Sequence, residues 1–212
     1  MISKQKFKSI FKDGMSIMIG GYMCDGTPEN LVDFIRETGV KELTIIISDL
    51  ANWDRSIGRL VLEGNVRHVV TTKLGDYSNL ISLVMDKKLR LDLLSQGTLV
   101  ERIRAGGNGL GGFLTPVGIG SVLEEGKQII DVYGTKYLLE LPIRADVALI
   151  KGSIVDSNGN IVYKGTSRNI NPIMATAADL VVVEASVIVK SGDLQPELIM
   201  TPSPLVDYIY QA

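Results

Sequence analysis

The chain has 212 residues, 45% of them hydrophobic, with a mean hydropathy of +0.21 and a formal net charge of -2. That is apolar material for a full core and excludes a disordered chain. With no basic cluster the sequence carries no footprint for nucleic acid or an anionic membrane surface, and its apolar runs are too short to cross a bilayer. Cys24 is the only cysteine, so no disulfide framework is available. The start, Met1-Ile2-Ser3-Lys4-Gln5-Lys6, leads into no apolar segment of the signal-peptide kind. Both features point to the cytoplasm.

In chain order, Ser16-Ile17-Met18-Ile19 reads as a strand that enters a glycine loop, Gly20 to Gly26, and then a helix. Thr27 suits the N-cap and Pro28 the first helical position, which predicts a helix starting at Pro28 with apolar Leu31, Phe34 and Ile35 on one face. Such a loop offers unpaired N–H groups and the positive end of the helix dipole to a phosphate-bearing ligand. The same glycines also suit a plain strand-to-helix turn. The spacing is not that of the dinucleotide fingerprint, which needs Gly-x-Gly-x-x-Gly.

Leu43 to Ser48 is a continuous β-branched run, expected to be a strand buried on both faces and parallel to the first. Ile57, Leu60 and Val61 fall at helical spacing before Gly64-Asn65. Val66 to Thr72 is a further strand, and it holds His68, the only histidine, which reads as a structural imidazole because no second metal ligand accompanies it. Leu89 to Leu94 alternates as a half-buried strand. Thr98 and Glu101 have capping-box spacing, which predicts a short helix from Leu99 to about Ala105. Then come five glycines in seven positions, Gly106-Gly107-Asn108-Gly109-Leu110-Gly111-Gly112. So many glycines cost backbone entropy, and the apolar flanks suggest a folded segment that lines a site, not a linker.

Beyond it, residues 128–133 and 137–141 can pair as a hairpin, and Val147 to Lys151 is a strand. Asn158-Gly159 marks a second hairpin, between Ile154-Val155 and Ile161 to Tyr163. Pro172 opens a small-residue helix through Ala178, Leu180 to Glu184 is expected as the last central strand, and the tail from Pro202 to Tyr210 reads as a short docking helix. Residues 1–212 are therefore expected to form one α/β domain with a mainly parallel central sheet flanked by helices, plus hairpins. Both glycine clusters are expected at the carboxyl ends of strands, in a common cleft.

No serine or cysteine nucleophile stands in a recognisable setting. A catalytic triad needs a nucleophile beside a histidine, and no Gly-x-Ser-x-Gly elbow accompanies His68. Cys24, near the expected helix start, is either a thiol of lowered pKa or a small residue filling a tight loop. The chain has cradles without a reactive group. It either binds without chemistry, as a ligand-sensing module would, or a partner supplies the nucleophile.

The run Asp13-Gly14-Met15-Ser16-Ile17-Met18-Ile19-Gly20-Gly21-Tyr22, with Gly26-x-Pro28, resembles the signature of the α subunit of class I coenzyme A transferases. Tyr22 stands where the family usually has phenylalanine. The likeness continues through Gln96-Gly97-Thr98-Leu99, Arg102 to Gly107, Gly111 to Pro116, Glu124 to Lys127, Tyr137 to Glu140, Arg144-Ala145-Asp146, Arg168-Asn169-x-Asn171-Pro172 and Thr201-Pro202. The branch it most resembles acts on acetate or butyrate and acetoacetate.

The resemblance implies a two-subunit enzyme, a heterodimer or α2β2 heterotetramer. Its β subunit supplies a glutamate nucleophile, and CoA moves between short-chain carboxylic acids by a ping-pong route. Coenzyme A is then a substrate, with no tightly bound cofactor and no metal expected. No catalytic nucleophile is expected in this chain. Gly20, Gly21, Tyr22, Met23, Cys24, Asp25 and Gly26 correspond to the coenzyme A-binding segment. Gln96 matches a glutamine near the reacting centre, and Gly106, Gly107, Gly109 and Gly111 are expected to line the same substrate cleft. Where relatives read Ser-Asn or Asn-Asp, this chain has Ser48-Asp49, and Gly75-Asp76-Tyr77 replaces a Gly-x-Asn. Residues 50–86 are the least family-like.

Overall fold

The computed structural model describes residues 1–50, 55–74 and 78–212. A first turn of helix, α1 (Lys4–Lys8), precedes β1 (Ser16–Ile19), α2 (Glu29–Arg36), β2 (Leu43–Ile47), α3 (Ser56–Leu62), β3 (Val66–Thr71), α4 (Ser78–Met85) and β4 (Arg90–Leu93). Helix α5 (Gln96–Gly107) then leads to three strands that form a small separate sheet, β5 (Phe113–Thr115), β6 (Ile129–Val132) and β7 (Thr135–Glu140). Last come β8 (Ala145–Asp156), β9 (Ile161–Val162), α6 (Asn171–Met174), β10 (Ala178–Val189) and β11 (Tyr208–Gln211).

The large sheet has the order β11-β10-β8-β1-β2-β3-β4, and every pair along it is parallel. Only β9 departs, as the antiparallel arm of the hairpin on β8. Strand side chains alternate between two cores. Ile17, Ile19, Ile45, Ile47 and Leu149 pack with Leu31, Ile35 and Leu60 of α2 and α3. Met18, Ile46, Ala148 and Ile150 face Leu99 and Ile103 of α5 and Met174 of α6. With both faces covered, the strands can be apolar without interruption, which is why Leu43 to Ile47 shows no alternation.

The expected parallel sheet and both hairpins are present, but several boundaries differ. Helix α2 has Pro28, not Thr27, at its cap, without a side-chain cap bond. Helix α5 starts three residues before the expected Leu99 because Ser95 is its cap: Ser95 Oγ accepts from Thr98 N at 3.2 Å. Helix α6 lasts only four residues, and Ala178, expected in the helix, opens β10. The tail is no helix. Pro202 and Pro204 confine its helical part to a 3-10 turn over Ser203–Leu205, after which Tyr208-Ile209-Tyr210 runs beside β10 as an edge strand. Alternation explains it: Ile209 packs on the α5 face, while Tyr210 meets Phe34 edge-on at 5.2 Å on the other.

In the β8–β9 hairpin, buried Asp156 accepts from the N–H groups of Asn158, Gly159 and Asn160 and from Asn160 Nδ2, at 2.8–3.0 Å. Burial works to raise its pKa, but these donors outweigh it and hold the carboxyl below its usual value. A depressed folded pKa contributes stability above the unfolded value, about 4, and loses it as pH falls through the folded one. Asp156→Ala should cost about 1–3 kcal/mol at pH 7. In urea unfolding, the gap from wild type should shrink on going to pH 3; a gap of the same size at both would mean that the charge contributes nothing.

Candidate active site

The carboxyl ends of β1, β2 and β3 lie side by side, and sheet order reverses at β1, between β8 and β2. In an open α/β sheet a crevice forms at such a reversal. Four segments meet there: the loop after β1, Ser48-Asp49 after β2, Thr72-Lys73 after β3, and the start of α5.

The loop Gly20 to Gly26 is not a cradle built on bare glycine. A Cβ on Gly20 would lie 1.7 Å from Asn171 Oδ1, one on Gly21 2.1 Å from Thr27 Oγ1, and one on Gly26 2.3 Å from the Ser167 carbonyl. These glycines are buried, and protein atoms take the room they leave. Asn171 does most of this: its Oδ1 accepts from Lys151 N at 3.1 Å, and its Nδ2 donates to the carbonyls of Gly26 and Ser167. The start of α2 is also occupied. Leu31 N and Asn30 Nδ2 donate to the two oxygens of Glu184, a buried side chain that also takes Lys151 Nζ at 2.6 Å. A ligand phosphate therefore has no place at this helix end. The dipole is already answered by a carboxylate.

What the loop exposes is its tip. Tyr22 and Asp25 exchange backbone hydrogen bonds, with Met23 and Cys24 between them at φ +50° and +69°. Glycine or asparagine normally takes such positions, so Met23-Cys24 is strained, and strain of this kind gathers at functional sites. Thr166 Oγ1 donates to Asp25 Oδ2 and ties the tip to the segment before α6. Burial pushes the Cys24 thiol up in pKa, with Arg55 opposing, so the lowered value considered from sequence is not found.

Gln96 stands in the first turn of α5. Its Oε1 accepts from Ser48 Oγ at 2.8 Å and Thr72 Oγ1 at 2.6 Å. The Thr72 hydroxyl has a second acceptor, the Ser48 carbonyl at 2.6 Å, so Ser48, Thr72 and Gln96 form one hydrogen-bonded cluster. Nε2 is left without a hydrogen bond among the described residues. Gln96 lines a hollow of about 440 Å³ together with Tyr22, Thr72, Lys73, Leu94, Ser95 and Asn169. Asn169, at φ +33° and ψ -124°, is a third strained non-glycine residue. It also borders a larger groove between α5 and α6, which Arg104 and Arg168 flank.

The second glycine cluster lies elsewhere. Gly106 and Gly107 are ten and eleven positions along α5 from Gln96, about 15 Å of helix axis. They pack at the amino end of β8: a Cβ on Gly106 would meet the Ile143 carbonyl at 2.1 Å, and one on Gly107 the Thr176 Oγ1 at 2.2 Å. Gly109, at φ +69°, ends the helix in a Schellman motif, with Leu110 N donating to the Ala105 carbonyl at 2.9 Å. Gly111 borders open space. The expected common cleft is therefore corrected. Gly106 and Gly107 serve close packing and Gly109 serves helix termination, whereas the first cluster adjoins Gln96 through Tyr22. His68 sits within β3, 3.0 Å from Asp92 Oδ2 at ion-pair distance but without hydrogen-bond alignment. Gly75-Asp76-Tyr77 lies outside the described residues.

A family model described as Coenzyme A transferase matches residues 2–212. The chain belongs to the coenzyme A transferase family. Among relatives in that family, the acetoacetyl-CoA:acetate/butyrate CoA transferase alpha subunit of Clostridium acetobutylicum is 48% identical, covering 99% of this chain and 96% of that one. The acetate CoA-transferase subunit alpha of Escherichia coli K12 is 44% identical over 99% and 95%. An acyl-CoA transferase of E. coli O157:H7, crystallised as a thioester complex with CoA, superposes with a TM-score of 0.87 over 98% of this chain and 48% of that one. At 21% identity it shares the fold.

Sequence reasoning missed Asn171 as an organiser, and it missed Lys151 and Glu184. A signal was present: each is the first charge after an uninterrupted apolar run on neighbouring strands, and the two are register partners. Charges at such positions are almost always paired. For the coenzyme A transferase loop, Gly20→Ala should lower stability by about 1–3 kcal/mol, as overpacking does. Gly20→Ala combined with Asn171→Ala should lose less than the two single changes added together. Additive losses in thermal unfolding would show that Asn171 is not what fills the glycine's space.

Proposed function

We propose that this chain is the α subunit of a short-chain acyl-CoA:carboxylate CoA-transferase of the acetate/butyrate–acetoacetate type. It works with a β subunit that supplies a glutamate nucleophile. The two relatives above support the substrate class, and their names describe alpha subunits. The observation that carries the reading is the Gln96 amide on the wall of the hollow, its Oε1 held by Ser48 and Thr72 and its N–H groups without an acceptor among the described residues.

In this reading a carboxylate oxygen of the β-subunit glutamate attacks the thioester carbonyl. An oxygen–carbon bond forms, the carbon–sulfur bond breaks, and CoA leaves as thiolate. The thiolate then attacks the glutamyl carbonyl of the anhydride, which releases the first acid as carboxylate and leaves a glutamyl-CoA thioester. The second acid reverses the sequence, and no net proton is needed. Two easier half-reactions replace one exchange. Gln96 Nε2 donates to the oxygen that gains charge at each attack. Its anchors are set by the fold beforehand, so no reorganisation is needed at the moment of reaction.

Coenzyme A is a substrate in this scheme. The segment Gly20 to Gly26 meets it through the exposed tip, Tyr22 and Met23, with the buried glycines holding that tip in place. No helix among the described residues is long and apolar enough to cross a membrane, and a cytoplasmic setting suits the acids involved.

In the purified α–β enzyme, Gln96→Ala should lower kcat by roughly a hundredfold with a modest change in KM, because the bond strengthens in the transition state. Gln96→Glu should be at least as harmful, since it adds a carboxylate beside two others. The α chain alone should show no turnover. Near wild-type kcat in both Gln96 variants would remove Gln96 from the reaction.

A further inference from the structure

The hollow at Gln96 has one charged side chain in its lining. Lys73 leaves the end of β3, forms an isolated parallel bridge with Asp49, and points its ammonium past the Tyr22 ring, 5.6 Å from the centroid. Its other neighbour is Asp49 Oδ2 at 3.8 Å, a side chain with no exposure. At that distance the two attract each other without a hydrogen bond. The Lys73 side chain is 46% exposed, and among the described residues none of its three N–H donors has an acceptor. The cation is thus placed from behind by a buried carboxylate and from the side by an aromatic face. Its donors remain open toward the hollow.

We propose that Lys73 receives the carboxylate of the free acid and is a determinant of which acids the enzyme accepts. The proposal rests on the reading of the hollow as the acyl site. An ammonium is a compact point charge with rotatable donors, suited to one carboxylate oxygen while the other stays free to attack. Gln96 Nε2 serves the carbonyl oxygen from the same wall, and Leu94 gives the acyl chain an apolar contact. The thioester has no carboxylate at its reacting end, so Lys73 should discriminate between the two kinds of substrate. Because Asp49 already offsets much of its charge, the lysine should hold a singly charged acid without trapping it.

The test uses the purified α–β enzyme, with acyl-CoA and free acid varied separately. Lys73→Met and Lys73→Gln should raise KM for acetate and butyrate about tenfold or more, the scale of one charge-assisted hydrogen bond, and KM for acyl-CoA less than about twofold. Lys73→Arg should recover most of the loss. Added salt should weaken acid binding in wild type more than in Lys73→Met. Equal rises in both KM values, or an unchanged KM for the acids, would overturn the proposal. Gln96→Ala, run in parallel, separates the two readings. Normal turnover there with an acid-specific defect at Lys73 would sink the Gln96 role alone, and the reverse pattern would sink the Lys73 role alone.

Discussion

Glu184 has a carboxylate with 1% exposure, and satisfying it shapes the carboxyl end of the sheet. One oxygen takes the Lys151 ammonium from the neighbouring strand, and the other takes the Leu31 N–H in the first turn of α2. Taking a charge out of water is costly, and leaving such a pair half-made would cost about 3–5 kcal/mol. Lys151, Glu184 and α2 therefore have to be in place together. Because α2 follows the glycine loop directly, its anchoring also sets where the loop can run. Asn171 then closes the loop from the opposite face of the sheet.

This arrangement separates two tasks that a glycine loop often combines. In a phosphate cradle, glycines bare the backbone and the helix dipole receives the ligand. Here the dipole is answered internally and Asn171, Thr27 and Ser167 fill the bare faces, so the loop is a rigid support. The groups left for chemistry lie next door, on the residues after β2 and β3 and at the start of α5. Ser48 and Thr72 hold one end of the Gln96 amide and so free the other. Both anchors come from adjacent parallel strands, and the Thr72 N–H to Ser48 carbonyl bond of 3.2 Å ties them to each other. Of the six non-glycine residues at positive φ among the described residues, Met23, Cys24 and Asn169 border this region, while Glu42, Lys87 and Tyr133 lie elsewhere.

The parallel sheet was legible from local sequence. Ser16 to Ile19 and Leu43 to Ile47 are mainly apolar runs, and Val66 to Thr71 is rich in β-branched residues, a content that favours strands. The two hairpins announced themselves through the paired runs at 128–133 and 137–141 and through Asn158-Gly159. The tail misled because Pro202-Ser203-Pro204 resembles a helix start, whereas the alternation of Tyr208, Ile209 and Tyr210 across a sheet edge is a property of three residues only. The second glycine cluster misled for another reason. Gly106, Gly107 and Gly109 are needed for close packing and for a left-handed helix stop, and composition alone does not separate those needs from ligand access.

The sequence by itself determined the strands, the glycine loop and the family, because these rest on runs of neighbouring residues whose propensities and motifs are local. It also singled out Gln96. Only the tertiary structure decided what those residues do. The Ser48, Thr72 and Gln96 side chains meet across 24 to 48 positions, and Lys151, Asn171 and Glu184 close on a loop that begins at Gly20. Hydrogen bonds and ion pairs are made between atoms about 3 Å apart, whatever their distance along the chain. Which amide end is free, which lysine faces the hollow and which glycines are already filled are facts of that proximity, settled when the strands align.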